Sequence, residues 1–209
     1  MSERGHTKPL HEIYASKSAE ETTGVYNAWA GDYERDMLGV GYAHPALVVA
    51  LLSRHVRPGG FEVLDAGVGT GIMGEILTAL GFDRLVGLDA SEQMLARAAA
   101  KGQYTQLEHL CLGRPLGFAD DRFGAVVSAG VFTQGHAPLD GLDELVRVTR
   151  PGGHIVFSVA RTYLEGPFQA KAEALESAGL WRFVDRSGPY NSTPLEDTLI
   201  ARAFAYGVC

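Results

Sequence analysis

The stretch Val63-Leu64-Asp65-Ala66-Gly67-Val68-Gly69-Thr70-Gly71 reads as a buried strand running into a turn with glycine at alternate positions, and a helix follows. Glycine is needed where backbone bends sharply or where a ligand lies against it with no Cβ in the way. The helix start behind the turn offers unpaired N–H groups and a partial positive charge. Such a strand–turn–helix predicts a nucleotide-like site at the carboxyl end of the first strand. The dinucleotide fingerprint G-x-G-x-x-G fails here, because its third glycine would fall at Ile72. A phosphate-binding P-loop fails too, since no Gly-Lys-Ser/Thr follows. Asp65, directly before the turn, would repel a pyrophosphate and suits a ligand carrying an ammonium group. A second acid, Asp89, closes Leu85-Val86-Gly87-Leu88, 22 residues past Gly67. Acids at that spacing grip ribose hydroxyls, and one carboxylate can accept both hydrogen bonds of a vicinal diol.

Outward from this loop, short apolar runs alternate with helical patterns. Phe61–Ala66, Arg84–Leu88, Leu107–Leu112, Gly124–Ala129, His154–Val159 and Leu180–Val184 read as strands. Ile72–Leu80, Ser91–Ala100, Pro138–Val148 and Gly166–Ala178 read as helices. The alternation predicts a parallel sheet covered on both faces. Ser91 is placed to cap its helix, and Pro151-Gly152-Gly153 to stop a helix and turn the chain into the next strand. In Asp197–Cys209, Ile200, Phe204 and Tyr206 share one parity while Ala201, Ala203 and Ala205 share the other, although Arg202 interrupts the bulky set. This reads as a terminal antiparallel strand at or near the sheet edge. Before the sheet, Ser18-Ala19-Glu20-Glu21 fits a capping box. Tyr26, Trp29, Ala30 and Tyr33 then fall on one helical face, and His44-Pro45 opens a further helix to about His55. The fold class is therefore α/β and Rossmann-like: a mostly parallel seven-stranded sheet with helices on both faces and an antiparallel C-terminal strand. It reads as a single domain over 1–209, with an N-terminal helical cap over 1–60 and the core over 61–209.

Composition narrows the function. The 209 residues are 46% hydrophobic and 21% charged, which is enough to bury one core. Net charge is −7 with the basic residues scattered, so no nucleic-acid partner is expected. No apolar run approaches a membrane span, and Met1–Lys8 lacks the apolar segment of a signal peptide, so a cytoplasmic protein with no membrane partner is expected. Two cysteines, Cys111 and Cys209, make neither a disulfide framework nor a metal site, and Cys111 reads as core packing.

On these motifs the sequence resembles the class I S-adenosylmethionine-dependent methyltransferases. The likeness runs from about Tyr26 to the end of the chain. It rests on Leu64–Gly71, on Gly87-Leu88-Asp89-Ala90-Ser91 with Met94, on Pro115–Val126, and on Arg147-Val148-Thr149-Arg150-Pro151-Gly152-Gly153. More narrowly, Tyr26–Tyr33 and Gly130–His136 are similar to the methyltransferase-like branch that includes the Williams–Beuren syndrome critical region protein.

The resemblance implies S-adenosyl-L-methionine as cofactor and in-line transfer of its methyl group to an acceptor. It places Asp65, Gly67, Gly69 and Gly71 at the methionine end, Asp89 on the ribose, and Ala90 and Met94 against the adenine. Where many relatives carry an acid for the adenine amino group this chain has Leu112 and Gly113, so backbone and apolar packing are expected there. Gly130 joins the site from the fourth strand end, and Tyr33, with Tyr26 or Trp29, is expected as a lid. His136 is the candidate general base, the other reading being a loop histidine beside Pro138. Arg161 reads either as a hold for an anionic acceptor or as a solvated cation. The compact cover suits a small-molecule acceptor. Two other functions use the same features: a cofactor-binding sensor without turnover, and an NAD(P)-dependent reductase. Ile72 and the lack of a Tyr-x-x-x-Lys pair disfavour the reductase.

Overall fold

A computed structural model describes residues 8–16, 18–164, 166–196 and 198–209. The reading of residues 1–7 as free of a leader, and Asp197 as first residue of the last strand, fall outside them. The chain opens with α1 (Lys8–Ala15), α2 (Ala19–Trp29), α3 (Tyr33–Gly39) and α4 (His44–His55). The Ser18 hydroxyl caps α2 by accepting from the Glu21 amide at 3.2 Å, and Pro45 sits in the first turn of α4. Nothing in the sequence signalled α1. The single helical face expected across Tyr26–Tyr33 is broken, because α2 ends at Trp29 and α3 starts at Tyr33.

Strands and helices then alternate as β1 (Val63–Ala66), α5 (Ile72–Ala79), β2 (Leu85–Asp89), α6 (Glu92–Lys101), β3 (Tyr104–His109), β4 (Phe123–Phe132), α7 (Gly141–Val148), β5 (Thr149–Ala160), α8 (Arg161–Leu164), α9 (Pro167–Ser177), β6 (Trp181–Arg186), β7 (Tyr190–Asn191) and β8 (Ile200–Val208). The sheet order is β3-β2-β1-β4-β5-β8-β6, with the two-residue β7 pairing β8. Neighbours from β3 to β5 are parallel, while β8 runs antiparallel to β5, β6 and β7. The mostly parallel, Rossmann-like sheet with its antiparallel C-terminal strand is thus the observed architecture; β7 is the one strand added to it. β8 is one place in from the edge, because β6 covers its outer side.

Two boundaries moved for physical reasons. α7 ends at Val148 as read, with the Thr149 hydroxyl taking up the Leu145 carbonyl at 2.6 Å, but β5 starts at Thr149, five residues before the expected His154. Pro151-Gly152-Gly153 therefore bulges within β5: Thr149 and His154 pair with Phe123 and Ala125, leaving four residues opposite one. The strand expected over Leu107–Leu112 lies three residues earlier, at Tyr104–His109. Leu110, Cys111 and Leu112 leave the sheet and become a cavity wall, so their apolar character serves a different surface.

Both sheet faces are covered. Leu64, Ile155, Phe157, Phe204 and Tyr206 pack against Leu142 and Leu145 of α7 and Phe168 and Leu175 of α9. On the other face Val63, Val127, Val156, Ala203 and Ala205 lie under Val48, Leu51 and Leu52 of α4 and Leu77 of α5. The alternating side-chain size in β8 follows: Ala203 and Ala205 lie under α4, while Phe204 and Tyr206 fill the wider space under α9. α4, although inside the stretch expected as a cap, is thus a layer of the core. Leu10, Ile13, Trp29, Met37 and Val40 form a separate apolar cluster from α1 to the end of α3. Among the described residues no single helix is long and apolar enough to cross a membrane.

Phe157 is fully enclosed among Phe132, Phe168, Trp181, Phe204 and Tyr206, with ring centroids 5.4 to 6.3 Å away. Truncation there leaves a cavity with fixed walls. Phe157→Ala should lower unfolding free energy by about 3–5 kcal/mol, read from urea unfolding at constant m-value; a loss under 1 kcal/mol would show that the aromatic cluster repacks.

Candidate functional site

The strand order reverses between β1 and β4, and the carboxyl ends of those strands open a crevice at that point. The loop after β1 is tied to the end of β2. The Gly67 and Val68 amides both donate to the Leu88 carbonyl at 2.9 Å, and the Gly69 amide donates to Asp89 Oδ2 at 2.8 Å. Asp89 Oδ1 accepts the Ser91 amide at 2.8 Å, and the Ser91 hydroxyl caps α6 by accepting from the Met94 amide at 3.1 Å. The Gly67, Val68 and Gly69 amides are thus spent inside the protein. Asp89 itself stands on the wall of the crevice. Burial pushes its carboxyl up, and the amides of Ser91, Gly69 and Ala90 pull it back.

A cavity of about 310 Å³ lies over this loop. Tyr33, Gly67, Gly69, Asp89, Ala90, Met94, Leu112, Gly113, Gly130 and His136 all line it, so residues 103 positions apart in the chain converge on one space. Gly69 faces it openly: a Cβ there would meet nothing within 4 Å. Gly67, by contrast, backs onto Val131 of β4, where a Cβ would collide. Ala90, Met94, Leu110 and Leu112 give the far end an apolar slot.

Asp65 and Gly71 are not on that wall. Gly71 is the left-handed N-cap of α5, and a Cβ on it would press on Ala98 and Tyr104 at 3.2 to 3.3 Å. Asp65 is fully buried behind the loop, where its Oδ2 accepts from the Tyr104 hydroxyl at 2.6 Å and its Oδ1 has no partner. Burial pushes its carboxyl up to about 7, against the pull of the Tyr104 bond, and neighbouring Asp89 adds to the rise.

The N-terminal helices close the crevice. The Ser91 hydroxyl donates to Asn27 Oδ1 at 2.7 Å, fixing α2 to α6. The Thr22 hydroxyl donates to the Gly135 carbonyl at 2.7 Å, and Tyr26 Oη lies 2.6 Å from His136 Nε2, fixing the same helix to the loop after β4. Trp29 points away into the apolar cluster of α1 and α3. His136 Nδ1 lies 3.1 Å from the Gln134 carbonyl, and burial lowers its pKa to about 4. The ring is therefore neutral near pH 7. The histidine is neither a solvated loop residue nor a free base, since both ring nitrogens are engaged.

Past His136 a second cavity of about 570 Å³ extends toward α1, α8 and the residues before β8. Tyr26, Tyr33, Tyr42, Gly130 and His136 line both spaces. Tyr42 lies against Gly130, where any Cβ would strike its hydroxyl. His44 lies behind it with Nδ1 2.7 Å from Tyr190 Oη, and burial lowers its pKa to about 3. Arg161 stands at the exposed rim of this second space. Sequence reading missed Tyr42, His44, Thr22 and Tyr190, which carry no local motif and meet only through the sheet. It also took Cys111 for core, whereas the side chain is half-buried in the first cavity wall.

Comparison with known proteins agrees with this geometry. The family described as "Methyltransferase domain" matches residues 64–157. Methyltransferase-like protein 27 of Homo sapiens is 36% identical over 165 residues, covering 75% of this chain and 66% of that protein. Demethylmenaquinone methyltransferase of Clavibacter sepedonicus is 32% identical over 145 residues, covering 68% of this chain and 58% of that protein. The chain thus spans at most about two thirds of either curated relative. An S-adenosylmethionine-dependent methyltransferase from Mesorhizobium loti shares the fold, with a TM-score of 0.58, 19% identity, and coverage of 76% of this chain and 96% of that one.

The buried Asp65 makes stability depend on pH with a definite sign. With its folded-state pKa raised to about 7, it binds a proton that the unfolded chain has shed above about pH 4. Its stabilising contribution is full below about pH 4 and is lost as pH rises through 7. Asp65→Asn does not titrate, so relative to wild type the variant should gain stability steadily between about pH 4 and 7. Urea unfolding at intervals of pH checks this, the titrations of His44 and His136 cancelling in the difference. A difference that stays constant with pH would refute it.

Proposed function

This chain carries a methyltransferase domain of the class I, S-adenosylmethionine-dependent type, and on that premise we propose that it transfers the methyl group of bound S-adenosylmethionine to a small-molecule acceptor held in the second cavity. The observation that carries this reading is the shared wall, where a cofactor space and an acceptor space meet at Tyr26, Tyr33, Tyr42, Gly130 and His136.

The first cavity fits the cofactor. The Gly69 and Ser91 amides each bond one Asp89 oxygen and the Ala90 amide also pulls on the carboxylate, which with about four lone-pair sites keeps room to accept from a ribose hydroxyl. The bare Gly69 admits the ligand against the loop, and Ala90, Met94 and Leu112 suit an adenine face. The Gly67, Val68 and Gly69 amides are spent on Leu88 and Asp89 and do not cradle a pyrophosphate, which speaks against a nicotinamide dinucleotide. Asp65 acts from behind the loop, through Tyr104, whose ring packs against Gly71 and Gly74.

When bound, the cofactor supplies a methyl group already activated on sulfonium, so the protein needs no nucleophile of its own. This chain's residues align and enclose. Asn27 and Thr22 hold α2 across the crevice, and Tyr33 and Tyr42 shape the passage between the cavities. Fixing two reactants in line can contribute about 7–11 kcal/mol in favourable cases. A small acceptor is supported by the lining of the second cavity on several sides, and by the relative named for demethylmenaquinone. Net charge of −7 supports no nucleic-acid partner.

Calorimetric titration of the purified chain should show S-adenosylmethionine binding. Asp89→Ala should weaken that binding by about 10- to 100-fold or more, since hydrogen bonds to a charged group are worth about 1.5–3 kcal/mol each. Unchanged affinity in the variant, or tight NADH binding with none for S-adenosylmethionine, would overturn the reading.

A further inference from the structure

The second cavity has a definite chemical character. Leu10, Met37, Phe132 and Leu199 give it apolar walls, and no aspartate, glutamate or lysine lines it among the described residues. A protonated amine would enter with no acid to meet it, and desolvating an unpaired cation is costly. A flat body with hydroxyl groups meets apolar walls and ring faces, and the rest of the lining offers it polar partners, among them Thr133, Ser158, Arg161, Ser192 and Thr193.

Where this cavity meets the cofactor space stands the Tyr26–His136 pair. The Gln134 carbonyl can only accept, so His136 Nδ1 carries the hydrogen and Nε2 presents its lone pair. Tyr26 Oη, 2.6 Å from Nε2, is the donor, and its oxygen keeps lone pairs toward the cavities it lines. The titratable groups facing His136 are Tyr14 of α1, Tyr26 of α2 and His44 of α4; no carboxylate acts on it.

Resting on the reading above, we propose that the acceptor is a small phenolic or enolic molecule methylated on oxygen, its proton leaving through Tyr26 to His136. The acceptor hydroxyl gives its proton to Tyr26 Oη while the Tyr26 proton passes to Nε2. The oxygen pair so released forms the new O–C bond, and the old C–S bond breaks with its electrons left on sulfur. The imidazolium then sheds its proton to solvent. Burial lowers the pKa of the ring and so disfavours its charged form, which opposes proton uptake in the first step and favours release in the last.

The test uses 4-nitrocatechol, whose ionisation is visible, on full-length protein loaded with S-adenosylhomocysteine. The bound probe should ionise at least one pH unit lower in wild type than in Tyr26→Phe or His136→Gln. Glutamine retains an acceptor for the Tyr26 hydroxyl but cannot take a proton, so a structural role would be rescued and a proton-accepting role would not. With S-adenosylmethionine and catechol, each variant should lose about 100-fold or more in kcat with KM within threefold. The double variant should be no worse than either, and the loss should shrink as pH passes the acceptor's own ionisation. His136→Asn, which keeps the donor to Gln134, serves if the glutamine variant misfolds. Equal probe ionisation in all forms, full activity in Tyr26→Phe, or label delivered to amines and not to phenols would overturn the proposal. Cofactor binding without probe binding would sink this inference alone; no cofactor binding would sink the reading beneath it.

Discussion

The Asp89 carboxylate bonds to both elements that frame the crevice, adding to the pairing of β1 with β2 and to the Gly67 and Val68 amides on the Leu88 carbonyl. One oxygen anchors the Gly69 amide of the loop after β1, and the other anchors the Ser91 amide at the start of α6. Both bonds are charge-assisted and partly buried, which makes them stronger than neutral ones. They set the distance between the glycine loop and the apolar slot of Ala90 and Met94. A burial cost stands against them, seen in the upward push on the Asp89 pKa. The carboxylate is thus a structural tie whose unused lone pairs face the cavity, and the same atoms that shape the space are the ones offered to a ligand.

The backbone amides of the loop carry a second consequence. In phosphate-binding loops such amides point outward at the anion. Here Gly67, Val68 and Gly69 turn theirs onto Leu88 and Asp89. The glycine spacing that fails the dinucleotide fingerprint therefore has a physical counterpart: a loop closed on its own strand neighbour, with Ile72 where a third glycine would let the helix pack closely on the strand. Asp65 belongs to the same economy. It is turned away from the cavity and held by Tyr104, so its effect on the site is exerted through packing and field.

How much of this was legible in the sequence depended on how local each signal is. The strand–turn–helix at Val63–Ile72, the acid at Asp89, the Ser91 cap and the parity of β8 are all set by neighbours within a few residues, and each could be read directly. The wall of Leu110–Leu112 was misread as strand because an apolar run does not say which surface it will cover. Asp65 was assigned to the ligand on its position before the loop, but whether a strand residue faces cavity or core depends on the partners across the sheet, here Tyr104 on β3. Tyr42, His44 and Tyr190 were invisible. Their contacts span up to 146 residues, and no spacing rule connects them.

That non-local set is also what gives the site its second half. A class I core alone supplies the crevice at β1 and β4; the passage beyond it is built by α1 to α4 and by the stretch before β8. α2 is bonded on one flank to Asn27's partner Ser91 and on the other through Thr22 and Tyr26 to the loop after β4. Tyr26 stands in this cross-brace and on the shared wall, and it can meet His136 in either charge state: its hydroxyl donates to the neutral ring and its oxygen accepts from the imidazolium, so the brace persists while the proton moves. The depressed pKa of His136 keeps it neutral across the physiological range. The neutral ring leaves Nε2 free to accept a proton from Tyr26, while Thr22 on the Gly135 carbonyl and Ser91 on Asn27 hold the helix whatever the charge of the ring.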